Sequence, residues 1–340
     1  MRELTESAAA LLPELIELRR RFHRRPEIGL ALPETQASVE AALAGLPLTL
    51  RRGDKLSSII ARLDGAAPGP TVLLRADMDA LPMMEENAVP WRSEFPERAH
   101  ACGHDAHMTM LIGAARLLCE RRDRLAGRVL FVFQPGEEAV GGAEMMLEEG
   151  LLDREFAGDV TRAFAIHQLP TLPSGSIATR AGALMAAMDG FRITVRGRGG
   201  HGSTPHETID PLPIACEIVI GLQTWMARRV PTFDPAVLTV AKIQAGTALN
   251  VIADFAVLEG LLRSVSEKTR ALVLSGIQQV AHGIASAYGA TVDVEIGVGD
   301  LAAVPVTFND AAEAARVQAI AGDLFGRARV IDLEAPIMAS

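Results

Sequence analysis

The eight residues His100-Ala101-Cys102-Gly103-His104-Asp105-Ala106-His107 constrain this chain more than any other segment. Three imidazoles, a thiol and a carboxylate there make five potential metal ligands in eight positions. That mixture suits a transition ion of the zinc, manganese or nickel kind. A polar loop that merely holds histidines fits the rest of the chain poorly. Of eight His and three Cys in all, three His and one Cys fall in this segment.

Other segments end in the same kind of side chain. Thr71–Asp77 reads as a buried strand that runs into Asp77 and Asp79. Val129–Phe133 is a second apolar run, leading through Gln134-Pro135-Gly136 into Glu137 and Glu138. Phe164-Ala165-Ile166 is a third, ending at His167. Helical spacing over 106–120 and a short helical stretch at 143–149 separate them, which implies a mostly parallel sheet covered by helices. Ligands bind at the carboxyl ends of strands in such sheets. Asp77, Asp79, Cys102, His104, Glu137, Glu138 and His167 are therefore expected to gather along one edge.

A length of 340 residues exceeds one ordinary core and implies two domains. From about Gly182 the pattern changes to alternating strands at 191–196, 236–243, 255–263 and 291–296, with helical stretches at 211–229 and 266–288. Strand-helix-strand-strand-helix-strand is the layout of a ferredoxin-like α+β sandwich. The expected division is a catalytic metal-binding domain over 1–181 and 297–340, interrupted by an inserted domain over 182–296. In the closing segment Asn309 is placed to cap a helix through Leu324, with Gly326 at its end and a strand at 330–333.

A net charge of −9 argues against nucleic acid or an anionic membrane as partner. Residues 5–21 carry a helical pattern rather than a signal peptide, and no apolar run reaches the roughly 18 residues of a membrane span. Three cysteines without a Cys-x-x-Cys pair suit a reducing compartment, so the expectation is a cytoplasmic chain.

Glu137 and Glu138 are adjacent on a turn and cannot point the same way, which allows one to ligate while the other moves protons. Cys102 as a thiolate nucleophile, with His104 or His107 as base, is the alternative chemistry. It leaves Glu137, Glu138 and His167 without employment. In the second half, His201 sits on a glycine-rich turn and suits an oxyanion donor. Arg263 ends an apolar strand and suits a substrate carboxylate. His201 equally suits an exposed loop position, and Arg263 taken alone better suits a solvated strand end.

The segments Arg75–Pro82, His100–Asp105, Gln134–Glu138, His201–His206 and Asn250-Val251-Ile252 resemble the metal-dependent amidohydrolases typified by hippurate hydrolase. The plant hydrolases of auxin–amino acid conjugates form part of that group. The resemblance runs from His23 and Pro26-Glu27 to the last residue. It implies a zinc-exopeptidase-like fold and two divalent ions per subunit (manganese, zinc or nickel). Cys102, His104, Glu138 and His167 would be ligands, and Glu137 the general base and acid. Asp77 and Asp79 would support the ligands from behind. His201 would stabilise the oxyanion, often reaching a partner subunit's site, while Asn250 and Arg263 would hold the carboxylate of an N-acyl amino acid. The inserted domain would serve as lid and homodimer interface. The resemblance further implies continuation past Met338-Ala339-Ser340 to a Glu-Asp-Phe motif and a last ligand histidine. This sequence ends at Ser340, so a truncated form, or a relative that binds without turnover, is the competing expectation.

Overall fold

The structure is a computed structural model that describes residues 2–138, 141–298 and 303–338. The chain divides into two compact units, 1–174 and 175–340. The first unit contains, in order, α1 (Arg2–Arg24), α2 (Pro33–Leu43), β1 (Thr49–Arg52), β2 (Ile59–Asp64), β3 (Ala67–Asp77) and α3 (His104–Cys119). It continues with β4 (Ala126–Gln134), α4 (Gly142–Glu148), α5 (Arg154–Ala157) and β5 (Val160–Ala165).

Its five strands form one sheet in the order β1-β2-β4-β3-β5. β3 pairs in parallel with β4 and with β5, as expected from the strand-helix alternation. β1 and β2 add an antiparallel margin that the sequence pattern did not reveal, so the α/β sheet is mixed. β4 shows why its apolar run is continuous. Phe131 and Phe133 face one core with Leu18, Phe22, Val39, Met108 and Ile112 from α1, α2 and α3. Leu130 and Val132 face the other with Met146 of α4 and Ala157 of α5. A strand buried on both faces has no polar alternation to display.

The second unit holds β6 (Ile177–Thr179), β7 (Gly182–Met185), β8 (Ala187–Arg196), β9 (Gly200–His201), α6 (Pro211–Arg229), β10 (Ala236–Ala245) and β11 (Val251–Ile252). After these come β12 (Phe255–Ser264), α7 (Glu267–Ala287), β13 (Thr291–Ile296), β14 (Thr307–Asn309), α8 (Ala311–Phe325) and β15 (Val330–Asp332). β10-β12-β8-β13 form a wholly antiparallel sheet. Taking β8, β10, β12 and β13 as strands one to four, the spatial order is two-three-one-four, the ferredoxin-like arrangement read from the sequence. α6 and α7 cover one face through Ile214, Ile218, Leu222, Val273, Ile277 and Ala281. On the sheet's other face Glu259 accepts from Arg192 and Lys242 at 2.7 and 2.8 Å, and Arg196 meets Asp293 at 2.7 Å. The apolar–charged alternation of β8 follows from that division.

Within the same unit β14 pairs with β7 and β15 with β6, so 303–338 packs against the segment that precedes β8. α8 is capped by Asp310, whose carboxylate accepts from the N–H groups of Ala312 and Glu313. Asn309, the expected cap, instead donates to Thr179 and to the Arg180 carbonyl. A carboxylate at the cap also favours the positive end of the helix dipole, and Asn309 is free to bridge β14 to β6. Ala339 and Ser340, part of the motif at the chain's end, lie outside the described residues.

Candidate metal centre

Because β3, β4 and β5 are parallel, their carboxyl ends share one edge of the sheet. Asp77 ends β3 opposite Gln134 of β4, and the Glu137–Glu138 turn begins three residues later. His167 follows β5 by two residues. His104 opens α3 behind Gly103, whose φ of +94° is a left-handed conformation suited to glycine. A side chain at Gly103 would meet the Gln168 side chain at 2.6 Å, so the turn that carries Cys102 and His104 packs closely on the segment that carries His167. Gly142 performs a similar service for the glutamates. A Cβ there would strike the Pro135 carbonyl, and the Gly142 N–H closes the turn on Gly136 at 3.0 Å.

All seven residues expected in this unit come together. The ligand atoms of Cys102, His104 and His167 lie within 4.8 Å of one another, as do those of His104, Glu137 and Glu138. His104 Nε2 stands 3.7 Å from Glu137 Oε2, from Glu138 Oε1 and from Asp77 Oδ2. Asp79 ties the parts together. Its carboxylate oxygens accept from the N–H groups of Glu137 and Glu138, and its carbonyl accepts from His104 Nδ1 at 2.8 Å.

A divalent ion fits this donor set. His104 Nε2 and Glu138 Oε1 are buried and have no hydrogen-bonding partner among the described residues. Such groups are costly to leave unpaired. Ligand atoms on a tetrahedral ion with bonds of ~2.1 Å stand about 3.4 Å apart, close to the separations seen here. The charge balance agrees. Burial alone would lower the His104 pKa, but contacts with Asp79 and Cys102 and the charge of Asp77 push it up to about 11. Groups that hold a proton so firmly would hold a cation in its place. Burial and the nearby Glu137 raise Glu138, against the pull of His104. Asp77 goes the other way. Burial opposes its charge, yet hydrogen bonding to His107 and the charges of Arg75 and His104 hold it well below the usual carboxylate range.

Cys102 lies 3.3 Å from His167 Nε2. Burial raises its thiol, with the nearby His104 opposing. A nucleophilic cysteine needs the opposite shift. His107, offered as its base, has both ring nitrogens occupied, by Asp77 at 2.6 Å and by the Gln168 N–H at 2.9 Å. The thiolate-nucleophile alternative therefore loses its support.

The second unit carries the remaining expected residues. β9 pairs with β11, opposing His201 to Val251, and the Gly202 N–H donates to the Asn250 carbonyl at 2.8 Å. His201 and Asn250 thus share one small exposed ribbon. His201 Nδ1 lies 3.2 Å from the Ser203 N–H and 2.7 Å from its hydroxyl. Arg263 lies instead on β12 in the four-stranded sheet, where one guanidinium nitrogen meets Met188 Sδ at 3.4 Å.

Sequence reasoning assigned no role to Arg75 or Gln168, and offered His107 only as one of five potential ligands and as a base for Cys102. Spacing offered a signal for two of them. Arg75 lies two residues before Asp77 on one strand face and bonds to it at 2.7 Å. His107 lies one helical turn from His104. His23 was quoted only within a motif. It is buried and joins Asp105 at 2.7 Å and Glu85 at 3.1 Å.

A thiol, imidazoles and paired carboxylates at the carboxyl edge of an α/β sheet define a metal-dependent hydrolase. The model of peptidase family M20/M25/M40 matches residues 73–340, and the chain belongs to that family. It is 39% identical over 277 residues to the N-acetylcysteine deacetylase of Bacillus subtilis, covering 81% of this chain and 72% of that one. It is 38% identical over 299 residues to thermostable carboxypeptidase 2 of Saccharolobus solfataricus, covering 87% and 74%. Among solved structures, a dinuclear metal binding peptidase of the M20 family from Bacillus subtilis superposes with a TM-score of 0.81 at 33% identity, covering 98% and 84%. The chain is a metal-dependent hydrolase of amide bonds.

Proposed function

We propose that this chain hydrolyses the amide bond of N-acyl amino acids of the hippurate type, releasing a carboxylic acid and a free amino acid. The observation that supports this reading is the arrangement around Asp79, which clamps the Glu137 and Glu138 peptides side by side with both carboxylates 3.7 Å from the orphaned His104 Nε2, Glu137 being the more exposed. The deacetylase relative acts, by its name, on an N-acylated amino acid.

In this reading Cys102, His104, Glu138 and His167 hold two divalent ions, manganese, zinc or nickel. The ions supply Lewis acidity and lower the pKa of water in the site. Glu137, the more exposed of the two glutamates, takes the proton of the attacking water and returns it to the leaving amine. Asp77 and Asp79 orient the ligands. His201 accepts the Ser203 N–H at Nδ1, so its ring proton sits on Nε2, ready to donate to the oxyanion. Asn250 and Arg263 receive the substrate carboxylate.

The proposed architecture assigns 1–181 and 297–340 to catalysis, and 182–296 to a lid through which two chains form a homodimer. The exposed apolar residues Val237 and Ile243 on the outer strand β10 support that interface. Among the described residues no helix is long and apolar enough to cross a membrane. The cytoplasm is the proposed compartment, in keeping with three free cysteines.

The test is hydrolysis of hippurate, acetyl-amino acids and indole-acyl amino acids by the purified chain with added manganese, zinc or nickel. Release of the free amino acid is expected. Cleavage of unblocked peptides in preference to every acylated substrate would overturn the assignment.

A further inference from the structure

His107 is 3% exposed and carries no part of the chemistry above, yet both of its ring nitrogens are engaged. Asp77 Oδ1 lies 2.6 Å from Nδ1. The Asp77 carboxylate also accepts from Arg75 at 2.7 Å on its other oxygen, so both of its oxygens serve as acceptors. His107 therefore donates from Nδ1. The Gln168 N–H points at Nε2 from 2.9 Å, so that nitrogen is the bare acceptor. His107 is a neutral imidazole of one fixed tautomer, with no lone pair left for a metal.

The residue whose N–H His107 accepts has a second contact, through the carbonyl of its following peptide. The Gln168 carbonyl lies 2.6 Å from His167 Nδ1, and a carbonyl can only accept, so His167 donates there. That leaves His167 Nε2 bare and facing Cys102 Sγ at 3.3 Å. His104 likewise gives its Nδ1–H to the Asp79 carbonyl, and its Nε2 has no hydrogen-bonding partner among the described residues. Histidine ligands ordinarily give their other N–H to such an acceptor. The two differ in support. His104 is buried in α3, whereas His167 is exposed on an irregular segment and needs an external hold.

We propose that His107 is the positioning residue for His167: through the Gln168 backbone, held at its N–H while its carbonyl receives His167 Nδ1, it fixes the tautomer and direction in which His167 presents Nε2 to the metal. The inference rests on the proposed role of His167 as a ligand. It also explains why a histidine three residues from His104, within reach of the cluster, is not itself in the donor set.

The test needs no substrate. Two-bond ¹H–¹⁵N spectra of the metal-free protein report the tautomer of each imidazole, and Co²⁺ titration reports affinity. In the unsubstituted chain His107 and His167 should both carry their proton on Nδ1. His107→Leu removes the acceptor for the Gln168 N–H. It should give His167 a mixture of tautomers and weaken Co²⁺ binding about 10–100-fold, the usual effect of losing a ligand's support. His107→Gln retains an acceptor and should keep the His167 tautomer. A folded His107→Leu protein with unchanged tautomer and affinity would overturn the proposal, as would an Nε2–H His167 in the unsubstituted chain. Should His107→Leu not fold, a mixed tautomer in His107→Gln overturns it and a retained one supports it. Hydrolysis assays separate the two readings. An unsubstituted chain that fails to hydrolyse any acyl amino acid removes the proposed function and leaves the tautomer result standing. Hydrolysis together with an unaffected His107→Leu removes only the role of His107.

Discussion

Asp79 receives the main-chain N–H of Glu137 on one carboxylate oxygen and that of Glu138 on the other, each at 3.0 Å. In the proposed function the two glutamates take different tasks, and their peptides are clamped side by side by a single group two residues past the end of β3. Asp79→Asn replaces one acceptor oxygen with a donor, which cannot accept either N–H. Turnover should fall about 10–100-fold, the range seen when groups behind a metal site are altered, while the sheet stays folded. Steady-state kinetics beside a thermal melt would check this. An unaltered kcat would mean that the clamp has no bearing on the chemistry.

Glu137→Gln keeps the size of the side chain and removes its basicity. General base catalysis contributes about 10²–10⁴-fold, so kcat should drop by that amount with metal content unchanged by elemental analysis. Glu138→Gln should show the reverse balance, losing metal first. If Glu137→Gln retained kcat within about tenfold, the lower end of that range would not be met and the proton carrier would have to be sought elsewhere.

Much of this site was legible because ligand-type residues stood at the ends of apolar runs, and parallel strands bring such ends together. Asp77, Glu137, Glu138 and His167 follow from that rule alone. Residues whose roles arise only from packing were less visible. β1 and β2 are short and carry Arg51, Arg52, Arg62 and Asp64, so their alternation is broken and pairing with β4 decides them. Asn309 and Asp310 are both good caps by type, and the pairing of β14 with β7 decides between them. His107 reads as one more ligand until Gln168, 61 residues away in sequence, is seen to occupy its remaining nitrogen.

Metal binding should release protons and strengthen as pH rises. Burial disfavours the charge on His104, but Asp79, Cys102 and Asp77 push its pKa to about 11, so it is protonated at neutral pH before an ion arrives. Burial raises the Cys102 thiol as well. Both must lose a proton to ligate. Affinity for Mn²⁺ or Zn²⁺ should therefore weaken by about tenfold for each pH unit lowered between pH 8 and pH 6 if one proton is displaced, and more steeply if two are. Calorimetry in buffers of different ionisation enthalpy measures the number released. Binding that does not vary with pH would remove His104 from the ligand set. A chelator should abolish hydrolysis, and added metal should restore it.

The second unit offers a pH effect remote from the metal. Ser266 caps α7 by accepting the Thr269 N–H, and Asp234 accepts from the hydroxyls of both Ser266 and Thr269 at 2.7 and 2.5 Å. These two hydrogen bonds lower the Asp234 pKa, with slight burial opposing. A carboxyl whose folded pKa lies below its unfolded value stabilises the fold above the unfolded pKa. That stability is lost as pH falls from about 4 through the folded value. Ser266→Ala should cost about 1 kcal/mol at neutral pH, as cap removals do. Asp234→Asn should be less stable than the unsubstituted chain at pH 7, and the gap should narrow as pH falls below about 4 and close once the folded carboxyl is protonated. Urea denaturation of the two proteins from pH 3 to pH 7 measures that gap, and a gap that stays constant in acid would show that the hydroxyls act through α7 geometry rather than through the charge of Asp234.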